Sequence, residues 1–323
     1  MRYPLFLVRQ LSRTVTKKVV RTGARHLPFL PKERTRHLER WLRGREDWRK
    51  LRVADAVVVS FGKSGRTWLR VLLSRVFQLQ HGLGERAILG FDNLHHQTGV
   101  VPKIMFTHDN YVKDYTGHRD SKAYFYGKRV VFLARDPRDV AVSQFFQWKY
   151  RMKPNKKDIN AYPMADLEPF DFGMSEAGLP KVIAFMNLWA KEAPSIGDFM
   201  IVRYEDLRTR PEETLARLLE FLGTPATEAQ IADAVRFASY DNMKRMEQQR
   251  VFWLSGGRLV PKDRSNPNSY KVRRGKVAGY RDEFEPAQLA QIDRLVEATL
   301  DPAYGYTGAA SGPDRTGALE GAA

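Results

Sequence analysis

Residues 57–68, VVVSFGKSGRTW, contain an apolar run, a short turn with two glycines and the polar start of a helical pattern. A strand, a glycine turn and a helix N-terminus in this order form an anion site, because free backbone N–H groups and the positive end of the helix dipole point at the ligand. Gly62 and Gly65 let the backbone approach that ligand closely. The turn also supplies side-chain donors, from Lys63, Ser64, Arg66 and Thr67. The stretch therefore predicts a strand, a phosphate-binding loop and a helix of an α/β fold.

A triphosphate-binding loop of the form G-x-x-x-x-G-K-[ST] would end at Gly62, Lys63 and Ser64 and would have its first glycine at position 57. That position is Val57, inside the predicted strand. The loop is thus too short to wrap a triphosphate in the usual way, and a monophosphate or the end of a phosphosulfate fits it better. A P-loop kinase with Mg²⁺-dependent ATP binding stays open as an alternative.

Four short apolar runs predict buried parallel strands, because strands covered on both faces lose the polar alternation. They are residues 57–60, 104–107, 130–134 and 200–203. Amphipathic segments predict helices at residues 67–78, 136–148 and 211–223. We expect the buried face of the first helix to carry Trp68, Leu72, Val76 and Leu79. Strands that alternate with helices predict a doubly wound, mainly parallel α/β sheet flanked by helices.

Two segments, residues 152–180 and 255–270, are polar, proline-containing and without a clear period. Segments of this length in a compact domain are usually lids, binding loops or disordered insertions. The aromatic residues from Phe145 to Tyr162, with Phe170, Phe172 and Trp253, therefore have two interpretations, as the lining of an acceptor pocket or as core.

Further anion-binding and titratable residues follow the ends of other predicted strands. Arg135 follows the strand at 130–134, and Ser143 lies two turns up the next helix, so both can contact one phosphate. His108 follows the strand at 104–107. Because ligands of open α/β sheets bind beyond the carboxyl ends of the strands, we expect Lys63, His108 and Arg135 to lie together. A late basic cluster, which could close over a phosphate, contains Arg273, Arg274, Gly275 and Lys276.

Together these stretches, from Val57 to Phe284, resemble the PAPS-dependent sulfotransferases, in particular the cytosolic type and its bacterial relatives. PAPS is 3'-phosphoadenosine 5'-phosphosulfate. The stretch SFGKSGRTW is similar to the family's 5'-phosphosulfate loop, which implies that Lys63 contacts the bridging oxygen and the sulfonate. The residues that this resemblance places around the 5'-phosphate and adenine are Ser64, Gly65, Arg66, Thr67 and Trp68. RDPRDVAVS, residues 135–143, is similar to the 3'-phosphate motif and implies that Arg135 and Ser143 bind that phosphate.

The resemblance implies roles for four further stretches. FTHDN, residues 106–110, makes His108 the catalytic base. VRYEDL, residues 202–207, and FASYDNMK, residues 237–244, bring Tyr204, Ser239 and Tyr240 to the nucleotide. VRRGKVAG, residues 272–279, closes over the 3'-phosphate with Arg273, Arg274 and Gly275. The chain departs from the family at Gly62 (usually Pro), Arg66 (Thr) and Arg274 (Lys), substitutions that keep the anion-binding chemistry.

From this resemblance we expect the P-loop-like sulfotransferase fold and in-line transfer of the sulfonate from PAPS to a hydroxyl, less often an amine. The co-product would be adenosine 3',5'-bisphosphate (PAP), and no metal would take part. The acceptor-binding regions match nothing in the family, so the acceptor is expected only to be a small molecule, with a lipid or glycolipid favoured by the basic, partly apolar N-terminal segment.

The net charge of +17 is concentrated near the N-terminus, since residues 1–52 carry 16 Lys or Arg against four acids. This predicts three regions: a basic, helical extension (1–52), a sulfotransferase domain (53–307) and a disordered tail (308–323). The extension could be a helix on a membrane surface or a solvated arm packed on the domain. It could also bind nucleic acid, but no recognition module follows it, so nucleic acid is not the expected partner.

Cysteine is absent, which excludes disulfides, thiolate metal sites and cysteine nucleophiles. No run reaches the roughly 18 apolar residues of a membrane span, and the apolar run at residues 4–8 is too short for a signal-peptide core. The remaining histidines have no spacing typical of a metal site. We therefore expect a cytoplasmic protein, with peripheral contact at the inner face of the membrane through residues 1–52.

Overall fold

A central sheet of four parallel strands, in the order β2-β1-β3-β4, organises the computed structural model of the chain. The structure describes residues 30–252 and 259–308 together with position 23. The strands are β1 (Ala56–Val59), β2 (Ile104–Thr107), β3 (Arg129–Ala134) and β4 (Asp198–Arg203). Each expected strand is present with its ends shifted by at most two residues, and the expected doubly wound α/β fold is confirmed.

Thirteen α-helices lie in the described residues. They are α1 (Lys32–Arg52), α2 (Arg66–His81), α3 (Asn93–Thr98), α4 (Val112–Thr116), α5 (Pro137–Tyr150), α6 (Pro154–Ile159), α7 (Pro169–Met174), α8 (Leu179–Glu192), α9 (Tyr204–Thr209), α10 (Pro211–Phe221), α11 (Glu228–Phe237), α12 (Tyr240–Gln248) and α13 (Pro286–Thr299). Short 3₁₀ turns occur at Ala123–Phe125, Ala193–Ser195, Pro267–Ser269, Gly279–Asp282 and Pro302–Tyr304.

The strands are buried on both faces, and alternate side chains enter two separate clusters. Val58 and Val131 point into a cluster with α2, α10 and α11, whereas Val57 and Phe132 point into one with α8 and α13. Both faces of the sheet are therefore covered by helices, which explains the absence of polar alternation in the strand sequences. The continuous apolar runs were sufficient to predict this layer.

Local signals explain where the helices beside the sheet begin and end. The Asp136 carboxylate accepts a hydrogen bond from the backbone N–H of Arg138, and Pro137 occupies the first turn, which fixes the start of α5. Helix α2 lies between two left-handed glycines and buries Leu72 and Val76 as expected. The expectation for Leu79 was wrong, because its side chain is 37% exposed; Leu69 and Leu73 are the buried residues instead.

The segment at 152–180, expected to lack regular structure, contains the short helices α6 and α7. Each begins with a proline, Pro154 or Pro169, and spans six residues. Six residues are too few to display an apolar period, which is why the sequence pattern missed both helices. Helix α7 packs against α5 and α8, and residues of the segment outside both helices, Met152, Asn160 and Tyr162, line the cavity described below.

Helix α1 packs against the domain through α4. Arg40 donates to the Asp114 carboxylate at 2.8 Å and to the Ile159 carbonyl at 2.7 Å. Gly44 lies so close to the Tyr111 carbonyl that a Cβ at this position would be 2.2 Å from the oxygen. Residues 32–52 thus agree with the interpretation as an arm packed on the domain, and no described helix is long and apolar enough to cross a membrane. The apolar residues expected on a membrane-surface helix and the expected disordered tail lie outside the described residues, and the division into three regions stays a prediction.

Candidate active site

The loop between β1 and α2 is held in a conformation that ordinary residues avoid. Lys63 has φ 77° and Gly65 has φ 93°, and a non-glycine residue in this region costs about 1 kcal/mol or more. A Cβ on Gly65 would lie 2.6 Å from Cδ2 of Tyr204. The Tyr204 ring therefore packs directly on the loop backbone, and only glycine fits beneath it.

The loop opens into a cavity of about 460 Å³ at the carboxyl ends of the strands. Thirteen of the residues predicted from the sequence line it: Lys63, Gly65, Arg66, Thr67, Trp68, His108, Arg135, Ser143, Tyr204, Tyr240, Arg273, Arg274 and Gly275. Two do not. Ser64 is buried behind the loop, and the Ser239 hydroxyl accepts from the Asn242 backbone N–H as the N-cap of α12, beside a separate shallow groove.

The surroundings of Lys63 disfavour the positive charge of its side chain. Burial in the cavity and then the neighbouring cations Arg151, Lys271 and Arg135 lower the pKa of Lys63 from its usual value of 10.5 to about 7, against the opposing effect of Glu247. An anion that enters beside Lys63 would restore its charge. The lysine is thus placed to respond to a phosphate or phosphosulfate.

One hydrogen bond to Ser60, the residue that follows β1, fixes the imidazole ring of His108. Its Nδ1 lies 2.7 Å from the carbonyl oxygen of Ser60, and since a carbonyl can only accept, Nδ1 carries the proton. Burial, with a further contribution from the positive Arg66, lowers the pKa of His108 from 6.5 to about 3. The imidazole is therefore neutral at physiological pH, and its Nε2 lone pair is available to accept a proton.

Arg135 connects the loop to the helix that follows β3. Its Nη1 donates to the Lys63 carbonyl at 3.2 Å and lies 3.4 Å from Oγ of Ser143. Its Nη2 donates to the Asp139 carboxylate at 3.2 Å, and the guanidinium carbon lies 4.4 Å from the centre of the Tyr204 ring. These contacts hold the guanidinium plane beside Ser143, as the sequence predicted for a phosphate site.

Residues 271–280 form a closing segment over the cavity, held by two buried carboxylates. Asp139 accepts from the backbone N–H groups of Ala278 and Tyr280 at 3.1 and 3.0 Å. Glu247 accepts from those of Lys271 and Val272 at 2.8–3.0 Å. No pattern in the sequence pointed to Glu247, because a single acid in a helix is usually solvated.

The same segment also packs on an aromatic ring through a glycine. A Cβ on Gly275, which has φ 61°, would lie 2.7 Å from Cδ2 of Tyr240. The Tyr240 hydroxyl donates to the Arg273 carbonyl at 2.9 Å. The Arg273 and Arg274 side chains meet Glu283 at 2.9 and 3.0 Å. The cavity thus has a glycine packed under a tyrosine at each of the two segments that were predicted to bind phosphate.

Two aromatic rings, those of Trp68 and Tyr204, contact each other in the wall of the cavity. They meet edge to face, with ring centroids 5.6 Å apart. The Trp68 Nε1 donates to the Ala238 carbonyl at 2.9 Å, which fixes the indole plane. Aromatic surface of this kind in a cavity wall suits a planar heterocycle such as a purine.

The cavity is also lined by residues for which no role was predicted from the sequence: Phe61, Asn110, Gln144, Gln147, Met152, Asn160 and Lys181. Phe146 and Tyr162, from the aromatic stretch with two interpretations, also line the cavity, whereas Phe145, Trp148 and Phe172 form a buried cluster. Trp253 lies outside the described residues.

Within residues 30–252 and 259–308, no group of three or more His, Asp or Glu side chains could hold a metal ion.

Comparison with known proteins identifies the family. The model of the sulfotransferase domain family matches residues 54–303, more than three quarters of the chain. The chain belongs to the sulfotransferase family. This membership confirms the resemblance to PAPS-dependent sulfotransferases and the expected enzyme class.

Similar proteins cover most of this sulfotransferase. Cytosolic sulfotransferase 13 of Arabidopsis thaliana is 25% identical over 267 residues, which are 77% of this chain and 78% of that protein. Human sulfotransferase 2A1 is 24% identical over 264 residues, 77% of this chain and 85% of that protein. The structure of mouse sulfotransferase SULT7A1 complexed with PAP superposes with a TM-score of 0.50 at 20% identity, covering 76% of this chain and 84% of that one. This likeness confirms the fold.

Proposed function

We propose that the cavity binds PAPS and that the enzyme transfers its sulfonate to an acceptor hydroxyl. The observation that carries the proposal is the convergence of Lys63, His108 and Arg135, each at the carboxyl end of a different strand, on one cavity. Relatives bear the name sulfotransferase and a neighbouring structure contains PAP. Both support PAPS as the donor.

The donor would occupy the cavity in one orientation. The loop, with Lys63 and the N-terminus of α2, would hold the 5'-phosphosulfate, and the rings of Trp68 and Tyr204 would contact the adenine. Arg135, Ser143 and the closing segment would bind the 3'-phosphate, since guanidinium groups make paired hydrogen bonds to phosphate oxygens. Roles for Ser64, through its backbone, and for Ser239 stay predictions.

Transfer would be in line. The acceptor oxygen attacks the sulfur, an oxygen–sulfur bond forms, and the bond between sulfur and the bridging oxygen of the 5'-phosphate breaks. The electron pair stays on that phosphate oxygen, where Lys63 stabilises the charge, and the acceptor proton passes to Nε2 of His108. Positioning and charge stabilisation supply most of such a reaction. The bound anionic donor raises the low pKa of His108 and makes it a stronger base.

In this proposal the acceptor is a small molecule, and the basic segment 1–52 favours a lipid or glycolipid. The cavity gives this partial support, since Phe61 and Met152 contribute apolar surface to its lining. The enzyme would act in the cytoplasm. Peripheral contact with the inner face of the membrane is tested with anionic liposomes: deletion of residues 1–29 should abolish binding, and unchanged binding contradicts it.

A direct test compares ligands by thermal shift and by turnover. PAP without metal should stabilise the protein, and ATP with Mg²⁺ should not. Incubation with ³⁵S-labelled PAPS and a protein-free cell extract should yield a labelled product. Stabilisation by Mg²⁺-ATP alone, with no labelled product, would favour the P-loop kinase alternative and overturn the proposal.

A further inference from the structure

Lys181 lies in the wall of the cavity, beside Asn160 and Tyr162. It occupies the first turn of α8, where the positive end of the helix dipole disfavours a cation. Its Nζ donates to the Asn160 carbonyl at 2.7 Å and lies 4.3 Å from the centre of the Tyr162 ring. An ammonium group carries three donors, so these contacts leave donors available toward the cavity.

No described carboxylate balances the charge of Lys181. The charged groups that act on it are Arg40 and Lys113, both cations, and burial with these neighbours lowers its pKa from 10.5 to about 8. The nearby acid Asp114 is already paired with Arg40 at 2.8 Å. A partly buried lysine among cations is costly unless an anion completes its surroundings.

A short series of contacts connects Lys181 to the phosphosulfate loop. Tyr162, beneath the ammonium group, accepts at its hydroxyl a hydrogen bond of 3.0 Å from Nε2 of Gln144. The Gln144 Oε1 in turn lies against the loop, 3.0 Å from where a Cβ on Gly62 would be. Lys181 is therefore separated from the loop by two side chains, in the part of the cavity where an acceptor would lie with its hydroxyl toward His108.

We infer that the acceptor carries an anionic group, a carboxylate or a phosphate, which pairs with Lys181 while the acceptor hydroxyl faces His108. The inference rests on the proposed function and narrows its substrate class. An aliphatic acceptor without a second polar group would leave the Lys181 charge unbalanced. The aromatic ring of Tyr162 and the apolar Phe61 and Met152 fit the body of an acceptor that ends in such an acid.

The first measurement is the charge of the natural product. The protein is incubated with ³⁵S-labelled PAPS and a protein-free cell extract, and the labelled products are separated by anion exchange. The major product should carry an acid besides the new sulfate. Carbodiimide coupling to ethanolamine should reduce its retention if the acid is a carboxylate, and alkaline phosphatase should do so if it is a phosphate. A major product that responds to neither treatment overturns the inference.

The second measurement assigns the acid to Lys181. The acceptor and its neutralised derivative are compared in the wild type, in Lys181→Met and in Lys191→Met, an exposed lysine of the same helix. Wild type and Lys191→Met should prefer the anionic acceptor by at least about tenfold in kcat/KM, mainly through KM, and Lys181→Met should show a ratio near one. PAP binding serves as the check of folding, with Lys181→Gln as a second variant.

The outcomes separate the two proposals. If PAP does not bind, or no labelled product forms, the proposed function fails and this inference with it. If PAP binds and product forms, but Lys181→Met keeps the preference for the anionic acceptor, only the inference fails.

Discussion

The pKa of Lys63 predicts how PAP affinity depends on pH. In the free protein burial and then the neighbouring cations hold this pKa at about 7, whereas a bound 5'-phosphate would raise it. Binding then requires a protonated Lys63, so affinity should fall as pH rises above 7. The protonated fraction drops from about one half at pH 7 to about 1% at pH 9, so PAP should bind about 50-fold more weakly at pH 9 if the pKa in the complex lies above 9.

Isothermal titration calorimetry at pH 7, 8 and 9, in two buffers of different ionisation enthalpy, measures both the affinity and the proton uptake. Uptake should rise from about 0.5 to about 1 proton per PAP across this range. The pH range from 7 to 9 lies above the second pKa of phosphate monoesters, about 6. The protonation state of PAP itself therefore changes little across the measurement.

Two variants control the measurement. Lys63→Met should bind PAP weakly at all three pH values with a flat profile, and Lys262→Met, which removes an exposed lysine, should behave as the wild type. A wild-type affinity that stays constant from pH 7 to 9 without proton uptake would refute the lowered pKa and its placement beside the phosphate.

Three further predictions concern the other parts of the cavity. His108→Ala should lower kcat/KM by 10²- to 10⁴-fold, roughly the worth of a general base, while PAP affinity changes little in calorimetry; near-normal turnover would exclude His108 as the base. Asp139→Asn should weaken PAP binding by about tenfold or more and lower the melting temperature, because its carboxylate holds Arg135 and two backbone N–H groups; an unchanged affinity would contradict that role. Gly275→Ala should displace the Tyr240 ring and weaken PAP more than Tyr240→Phe, which removes one hydrogen bond worth about 1 kcal/mol, and the reverse order in titrations would contradict the close packing.

The sequence predicted the residues whose position follows from strand ends. Lys63, His108 and Arg135 each come within four residues of the end of a buried apolar run, and parallel strands bring their carboxyl ends to one edge. Their convergence therefore needed only the strand assignment and the parallel order. The nucleotide contact predicted for Ser239 stays a prediction, and its hydroxyl caps α12 in this structure.

Other residues of the cavity do not follow the end of a strand, so their position could not be predicted in this way. Lys181, Asn160 and Gln144 come from α8, from the residue after α6 and from α5, and only the folded chain brings them to one cavity. The spacing of apolar residues along a helix identifies its buried face. A polar residue at the edge of that face fits the same sequence pattern whether its side chain contacts water or a cavity. The proposed acceptor site is therefore the part of the cavity that could not be predicted before the tertiary structure brought its residues together.

The distribution of charge in the cavity gives the two carboxylates a common role. Asp139 and Glu247 are the buried acids beside Lys63, Arg135 and Arg151, yet their oxygens accept mainly from backbone N–H groups of the closing segment. Glu247 lies 3.8 Å from Arg151, beyond hydrogen-bond distance. The two acids thus anchor the segment and offset the charge of Arg135 and Arg151 only in part, and the free cavity keeps an excess of positive charge because Lys and Arg side chains line it without an Asp or Glu among the lining residues. A ligand with two phosphates would supply negative charge at both glycine–tyrosine contacts, so nucleotide binding would be the step that balances the positive charge of the site.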